Sequence, residues 1–462
     1  MKKFMLTIML SGFALMILGQ EKGIITGDIL EEIRKSVKID GETKALMNAI
    51  SNNDIKKLAI NRDNLGKLSP YFSNKVEIKG ITDQKSSGRC WLFTGLNVLR
   101  PVIIEKYQLK DFQFSHNYSF FWDQFEKANL FYEAIIATAN KPMENRIVEW
   151  LFKHPINDGG QWTGVVNIVD KYGAVPNTVM PECQNSENTS LMSRLLRRKL
   201  REDGLTLREM VHNNVDDLNL EKHKIKMLTD FYRILVLCLG EPPTEFVWQY
   251  EDKDGNISKP TKYTPKSFYE KVIGIDLKDY VMFMNDPTRP YYNLYEIEYD
   301  RHMHEGGNWK YINLPIDEIK QFAIASIKDN TPMYFSCDVG KQLNKDKGTL
   351  DINNFDYDDL FGVQFGMNKE QRIKTFDSGS SHGMSLVGVN MPEDGNADKW
   401  LLENSWGKKG HEGFLIMTDK WFDEYMFRLV INKIYIDSKT LKILEKEPIM
   451  LPPWDPMFAP EE

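Results

Sequence analysis

The strand-like runs of this 462-residue chain gather towards its C-terminal end, behind long stretches with helical patterning. From Thr331 onwards PMYFSCDV, HGMSLVGVN, KWLLENSW, GFLIMTD and FRLVINKIYI are short apolar or alternating runs, separated by turns rich in Gly and Asp. Helices followed by strands, rather than the two in alternation, predict an α+β fold: a helical lobe, then an antiparallel β lobe. The length suffices for two or three packed lobes. Hydrophobic residues at 42% and charged residues at 27% are those of a folded globular protein, which sets disorder aside.

The patterning divides the chain into a signal peptide (1–20), an N-terminal extension (21–79), a helical lobe (80–183), a mostly helical insertion with a hairpin (184–300), a β lobe (301–440) and a C-terminal arm (441–462). Lys2 and Lys3 precede an uncharged run that ends at Gly19, and the first acid is Glu21, which predicts an export signal and a periplasmic or secreted location. The run is short for a bilayer span, so no membrane anchor is expected once it is removed. A net charge of −7 gives no support to a nucleic-acid partner.

One stretch points to chemistry. In DQKSSGRCWLFTGLNVLR a small-residue loop leads into Cys90 and then an apolar segment, so the thiol stands at the mouth of a helix. Trp91, Phe93, Leu96 and Leu99 predict one buried flank, with Pro101 kinking or ending the helix. Unpaired N–H groups at such a helix start favour thiolate over thiol. Further on, His382 opens one predicted strand and Asn404 closes the next, so both can face one edge. Together they supply a nucleophile (Cys90), a base that later serves as acid (His382), a group to hold the imidazole (Asn404), and an oxyanion donor in the Gln84 amide. The pair Gly159 and Gly160 permits close backbone approach; by itself it reads as an ordinary loop, and beside this constellation the two are candidate substrate-binding residues.

SSGRCWLF, SHGMSLVGVN and ENSWGKKGHEGFLIM resemble the three active-site blocks of papain-like cysteine peptidases. QKSSGRCWLF, SCDVGK at residues 336–341 and EPIMLPPWDPM near the end are similar to the bleomycin hydrolase and aminopeptidase C family within that group. The resemblance runs from about residue 60 to the C-terminus. It implies a two-lobed papain-like fold with Cys90, His382, Asn404 and Gln84 as catalytic residues and Trp91 and Trp406 supporting them. His382 and Asn404 lie 292 and 314 residues after Cys90, against roughly 130–150 in papain-like enzymes, which implies an insertion of about 150 residues. The resemblance further implies an aminopeptidase whose C-terminal arm lies back in the cleft, with the carboxylate at Glu462 meeting the substrate's α-ammonium group, and a homohexameric ring. This chain departs from the family in ending Phe-Ala-Pro-Glu-Glu after WDPM, and in its export signal. A papain-like endopeptidase, and an inactive papain-fold binding or scaffold protein, are the alternative readings.

The remaining features predict no cofactor and no metal. Four cysteines (Cys90, Cys183, Cys238, Cys337) are too few for a disulfide scaffold and lack zinc-site spacing. His302, His304 and Glu305 lack a distant partner set and read as a polar loop. The basic cluster at Arg194, Arg197, Arg198, Lys199 and Arg201 reads as a solvated helix face.

Overall fold

The computed structural model describes residues 23–393 and 395–458. The expected signal peptide and Glu462 therefore lie outside the described residues. Residues 23–60 belong to a unit of their own. There the helices Gly27–Ser36 and Gly41–Asn52 start from Thr26 and Asp40, whose side chains accept from the backbone N–H groups of Ile29 and Thr43.

The remainder, from Asn61, is the second unit. Its helical part centres on Cys90–Lys106, which is buried along nearly its whole length. The expected single buried flank is corrected here, and of the two outcomes expected at Pro101, a kink or an end, the end does not occur. Trp91, Leu92, Phe93, Leu96, Leu99 and Ile103 are all buried, and the helix runs on through Pro101 for five residues. A proline inside a helix costs about 3 kcal/mol. Each large apolar side chain fully buried here returns about 1.5–3 kcal/mol, so packing outweighs the local penalty. Gly95 lets this helix approach Trp162–Tyr172 closely, since a Cβ there would lie 2.5 Å from Val165 Cγ2.

The aromatic helix His116–Ala137 packs against the same core, and its N-cap Ser115 accepts from the Tyr118 N–H. Ser190–His212 and Asp217–Leu239 pack on it from the other side. The strands Phe246–Trp248 and Thr261–Tyr263 pair antiparallel as a separate ribbon.

A 12-stranded sheet forms the second layer. Its middle runs in spatial order Tyr280–Met284, Met426–Asn432, Met333–Cys337, His382–Asn390, Lys399–Glu403 and Phe414–Thr418, all paired antiparallel. The sheet takes in Tyr280–Met284 and Asn293–Ile297, both ahead of the boundary at 301 expected from the sequence, and also the short strand Asn74–Lys75, which pairs with His382–Asn390. YVMFM is a continuous apolar run because it is covered on both faces, and such a run carries no alternation to mark it as a strand.

One buried ion pair ties the two layers together. Arg100 on the Cys90 helix meets Glu403 on the strand leading to Asn404, and both are almost fully buried. Arg100 also donates to Asn97 Oδ1 at 3.1 Å, and Asn97 donates to Thr82 Oγ1 at 2.9 Å.

Candidate active site

Cys90 occupies the first turn of its helix. The preceding residue, Arg89, gives no side-chain cap; its guanidinium instead reaches Glu182 at 2.8 and 3.2 Å and the Ser87 hydroxyl at 3.0 Å. The loop before the helix is held by Gln84, whose backbone N–H donates to the Ser405 carbonyl at 2.8 Å. Gln84 Nε2 donates to the Ser87 carbonyl at 2.7 Å, and its Oε1 accepts from the Ser405 hydroxyl at 2.6 Å. The amide nitrogen has a second hydrogen to offer, and Gln84 lines a cavity of about 600 Å³ together with Cys90 and His382.

His382 begins its strand opposite Cys337, and its ring is buried. Nε2 lies 2.8 Å from Asn404 Oδ1. The same oxygen accepts the Ser405 N–H at 2.8 Å, so it is an acceptor and the imidazole nitrogen donates to it. Nδ1 is then the basic nitrogen of the neutral ring. Trp406 stacks on the imidazole at 4.7 Å between ring centres.

The thiol and the imidazole are both shifted towards neutrality. Burial pushes the Cys90 thiol up, against the pull of the Gly383, Trp91 and Cys90 N–H groups and the charge of Arg428. Burial pushes His382 down to about 4, although Asn404 favours its charged form. The expected pull of the helix-start N–H groups towards thiolate is present, and burial opposes it. A helix end contributes about 0.3–2 kcal/mol, whereas burial can move a group by several pH units. The Gly383 N–H that bears on the thiol belongs to the residue after His382, and Cys90 and His382 line the same cavity.

Gly159 and Gly160 form the facing wall of the cavity. Lys127 Nζ donates to the Gly159 carbonyl at 2.6 Å and to the Asn157 carbonyl at 3.1 Å. Trp91 Nε1 donates to the Asp158 carbonyl at 2.7 Å, so Trp91 supports this wall as well as the nucleophile. Gly160 has no room for a side chain, because a Cβ would lie 2.3 Å from His302 Cε1 and 2.8 Å from Trp91 Cδ2.

The polar-loop reading of His302 is corrected by that contact, since its side chain is buried and partnered. His302 Nδ1 lies 2.5 Å from Asp123 Oδ1, and Lys127 lies 2.9 Å from the other oxygen of Asp123. Burial alone would raise Asp123, but Lys127 and His302 beside it hold its carboxyl below the usual range. Asp123 and Lys127 stand four residues apart on one helix, which is a legible pairing; their link to His302 spans 179 residues and is not. Glu305 bonds Lys171 instead, and among the described residues no cluster of His, Cys, Asp or Glu is arranged to hold a metal.

The C-terminal arm reaches this cavity. Ile449–Leu451 adds to the sheet parallel to Asn293–Ile297. Arg146 covers the Trp454 ring at 4.5 Å, Asp455 accepts from Arg289 at 2.7 Å, and Met457 is buried. Phe458 packs edge-on against Trp309 at 4.9 Å, and with Pro453 it lines the cavity that holds Cys90.

A thiol at a helix mouth, an asparagine-held imidazole on a facing sheet and a cavity between them define a cysteine peptidase of papain-like α+β fold. The crystal structure of PepW from Lactobacillus rhamnosis superposes with a TM-score of 0.92 at 38% identity, covering 95% of this chain and 99% of that one. Rat bleomycin hydrolase is 40% identical over 89% of this chain and 93% of its own length. Aminopeptidase C of Lactobacillus delbrueckii subsp. lactis is 36% identical over 94% of this chain and 98% of its own. The chain belongs to the Peptidase C1-like family, whose model matches residues 24–458.

Proposed function

We propose that this chain is a cysteine aminopeptidase that removes residues from free peptide N-termini, with Cys90 as nucleophile and His382 as base. The observation that carries this reading is the C-terminal arm, anchored through Asp455 and Met457 and ending its described course at Phe458 in the nucleophile's own cavity. An arm there occupies the space that a longer peptide would need on the amino side of the cleaved bond.

The chemistry starts from the neutral pair. A peptide carbonyl enters between Cys90 and the Gly159–Gly160 wall. As the sulfur–carbon bond forms, the thiol proton passes to Nδ1 of His382, and Asn404 keeps the ring aligned. The carbonyl oxygen gains the charge and is received by the Cys90 N–H and the second hydrogen of Gln84 Nε2. The imidazolium returns its proton to the departing amine, leaving a thioester. Nδ1 then takes a proton from water, which attacks the thioester and frees the acid. The carboxylates beyond Phe458, including Glu462, pair with the α-ammonium group of the substrate and select free N-termini.

Export is proposed from the charge pattern of residues 1–20 alone, and a homohexamer only from the resemblance of the sequence motifs. Deletion of residues 456–462 tests the arm. Internal cleavage of N-blocked peptides is expected to rise at least tenfold, and an unchanged cleavage pattern would leave a papain-like endopeptidase as the reading.

A further inference from the structure

Arg428 takes no part in the chemistry above, yet the sheet carries it to the cleft. It stands opposite Ser336 on the neighbouring strand, and Ser336 stands opposite Gly383 on the next. Cross-strand partners share a face. Gly383 faces the Cys90 helix, because a Cβ there would meet Thr94 Oγ1 at 3.1 Å and Trp91 Cα at 3.5 Å. An irregularity in pairing between Met426 and Arg428 places one residue more on this strand than on its partner, which re-aims Arg428 towards that face. Two strand spacings, roughly 10 Å, separate it from Gly383. Ser336 and Gly383 are small, so the space between guanidinium and nucleophile is open, and all three residues line the cavity.

The guanidinium is positioned but unsatisfied. It lies 4.1 Å from the centre of the Trp309 ring, the ring that Phe458 of the arm also touches. Its Nε is buried without a hydrogen-bond partner. Among the described residues no carboxylate lies within 4 Å of it; Asp300 acts on it only at longer range, with Tyr334, Tyr311 and Cys90 as the other titratable groups around it. Arg428 is only partly buried, so its remaining donors can turn to the cavity, and the fork of a guanidinium fits a carboxylate. In a cleft that admits an α-ammonium group, an uncompensated cation would also repel the substrate.

We propose that Arg428 is a carboxylate-binding residue of the substrate cleft. The carboxylate has two sources. One is an acidic side chain of the peptide. The other is the chain's own tail, where Ala459, Pro460, Glu461 and Glu462 follow Phe458 and bring two side-chain carboxylates. The inference rests on the cavity being the peptide cleft, and only its second source also needs the aminopeptidase reading.

The test compares the full chain, Arg428→Gln, Arg428→Lys and a chain lacking Glu461 and Glu462. Each is assayed on peptides with Glu or Gln at each of the first four positions, with free and with acetylated N-termini. A substrate carboxylate predicts at least tenfold higher kcat/KM for Glu at one position, lost in Arg428→Gln through KM and kept in part by Arg428→Lys. The chain's own carboxylate predicts no Glu preference. Arg428→Gln then raises KM at least tenfold for free N-termini, the truncation does the same, and combining them adds nothing. Because Arg428→Lys keeps the charge, it stands in for the wild type should Arg428→Gln not fold, and acetate then serves as the probe. Competition by acetate in the full chain or rescue by acetate in the truncated one, with chloride inert at equal ionic strength, supports the proposal; acetate behaving as chloride in both overturns it. Equal losses on every peptide, or none, also overturn it. If no variant and no wild-type chain distinguishes free from acetylated peptides, the aminopeptidase reading fails while the Glu–Gln comparison still reads Arg428.

Discussion

Asn404 holds His382 through an oxygen already committed to the Ser405 N–H, and this makes Nε2 the protonated ring nitrogen and Nδ1 the base. Replacing Asn404 by Ala is expected to leave Cys90 in place but release the imidazole. A fall in kcat of about 10–100-fold with little change in KM follows, since orientation of the base is lost and peptide contacts are not. Steady-state kinetics on one free N-terminal peptide check this.

In the proposed mechanism the protonation of His382 sets the acid limb of activity. His382 acts as a base only when unprotonated, and burial holds it down to about 4. The acid limb of kcat/KM should therefore lie near pH 4 rather than near 6.5. Asn404→Asp brings a negative charge to the ring and should move that limb upwards. A limb fixed at the same pH in both proteins would remove His382 from the rate.

Stability has its own pH window. His116, stacked on Phe93 at 3.6 Å, is pushed by burial down to about 3, and His382 to about 4. Both take up protons on unfolding once the pH falls below about 6.5, so the stabilising effect of keeping them neutral is full above that pH. It is lost as the pH drops from about 6.5 towards their folded values. Each group contributes a slope of up to about 1.4 kcal/mol per pH unit there. Facing His116 are Glu182, Arg89 and Arg100. His116→Phe keeps a ring against Phe93 and should flatten the slope of denaturant stability between pH 6 and 4.

Glu403 and Arg100 join helix to sheet from inside. Glu403→Gln leaves a guanidinium buried with one partner gone, and a loss of about 3–5 kcal/mol is expected in denaturant unfolding. Replacing both residues by Met should cost much less than that single change, because no unpaired charge is left.

Gly160→Ala tests the cavity wall. Its methyl group would collide with His302 and Trp91, so either the Asp123–His302 contact or the wall must shift. At least a tenfold loss of kcat/KM is expected, with a stability loss of about 1–3 kcal/mol.

The legible parts of this protein were those whose meaning is local. Cys90, His382 and Asn404 each sit in a short motif at the end of a helix or strand, so their placement could be read from the sequence, and their proposed roles from the motifs taken together. Pro101 misled because a local helix breaker was overruled by burial that only the folded core supplies. Tyr280–Met284 was hidden because a strand covered on both faces does not alternate. His302 and Arg428 were out of reach for a different reason. Their partners, Asp123 for one and Ser336 for the other, are distant in the chain, and no periodicity records such a contact.

The central claim is that a Cys90 thiol works on peptides presented by their free N-terminus. Mass spectrometry of digests of one peptide, free and N-acetylated, by the wild-type chain and by Cys90→Ala tests it most directly. The account predicts stepwise loss of N-terminal residues from the free peptide only, and no products from the variant. Internal cleavage of both peptides at equal rates, or products from the variant, would contradict it.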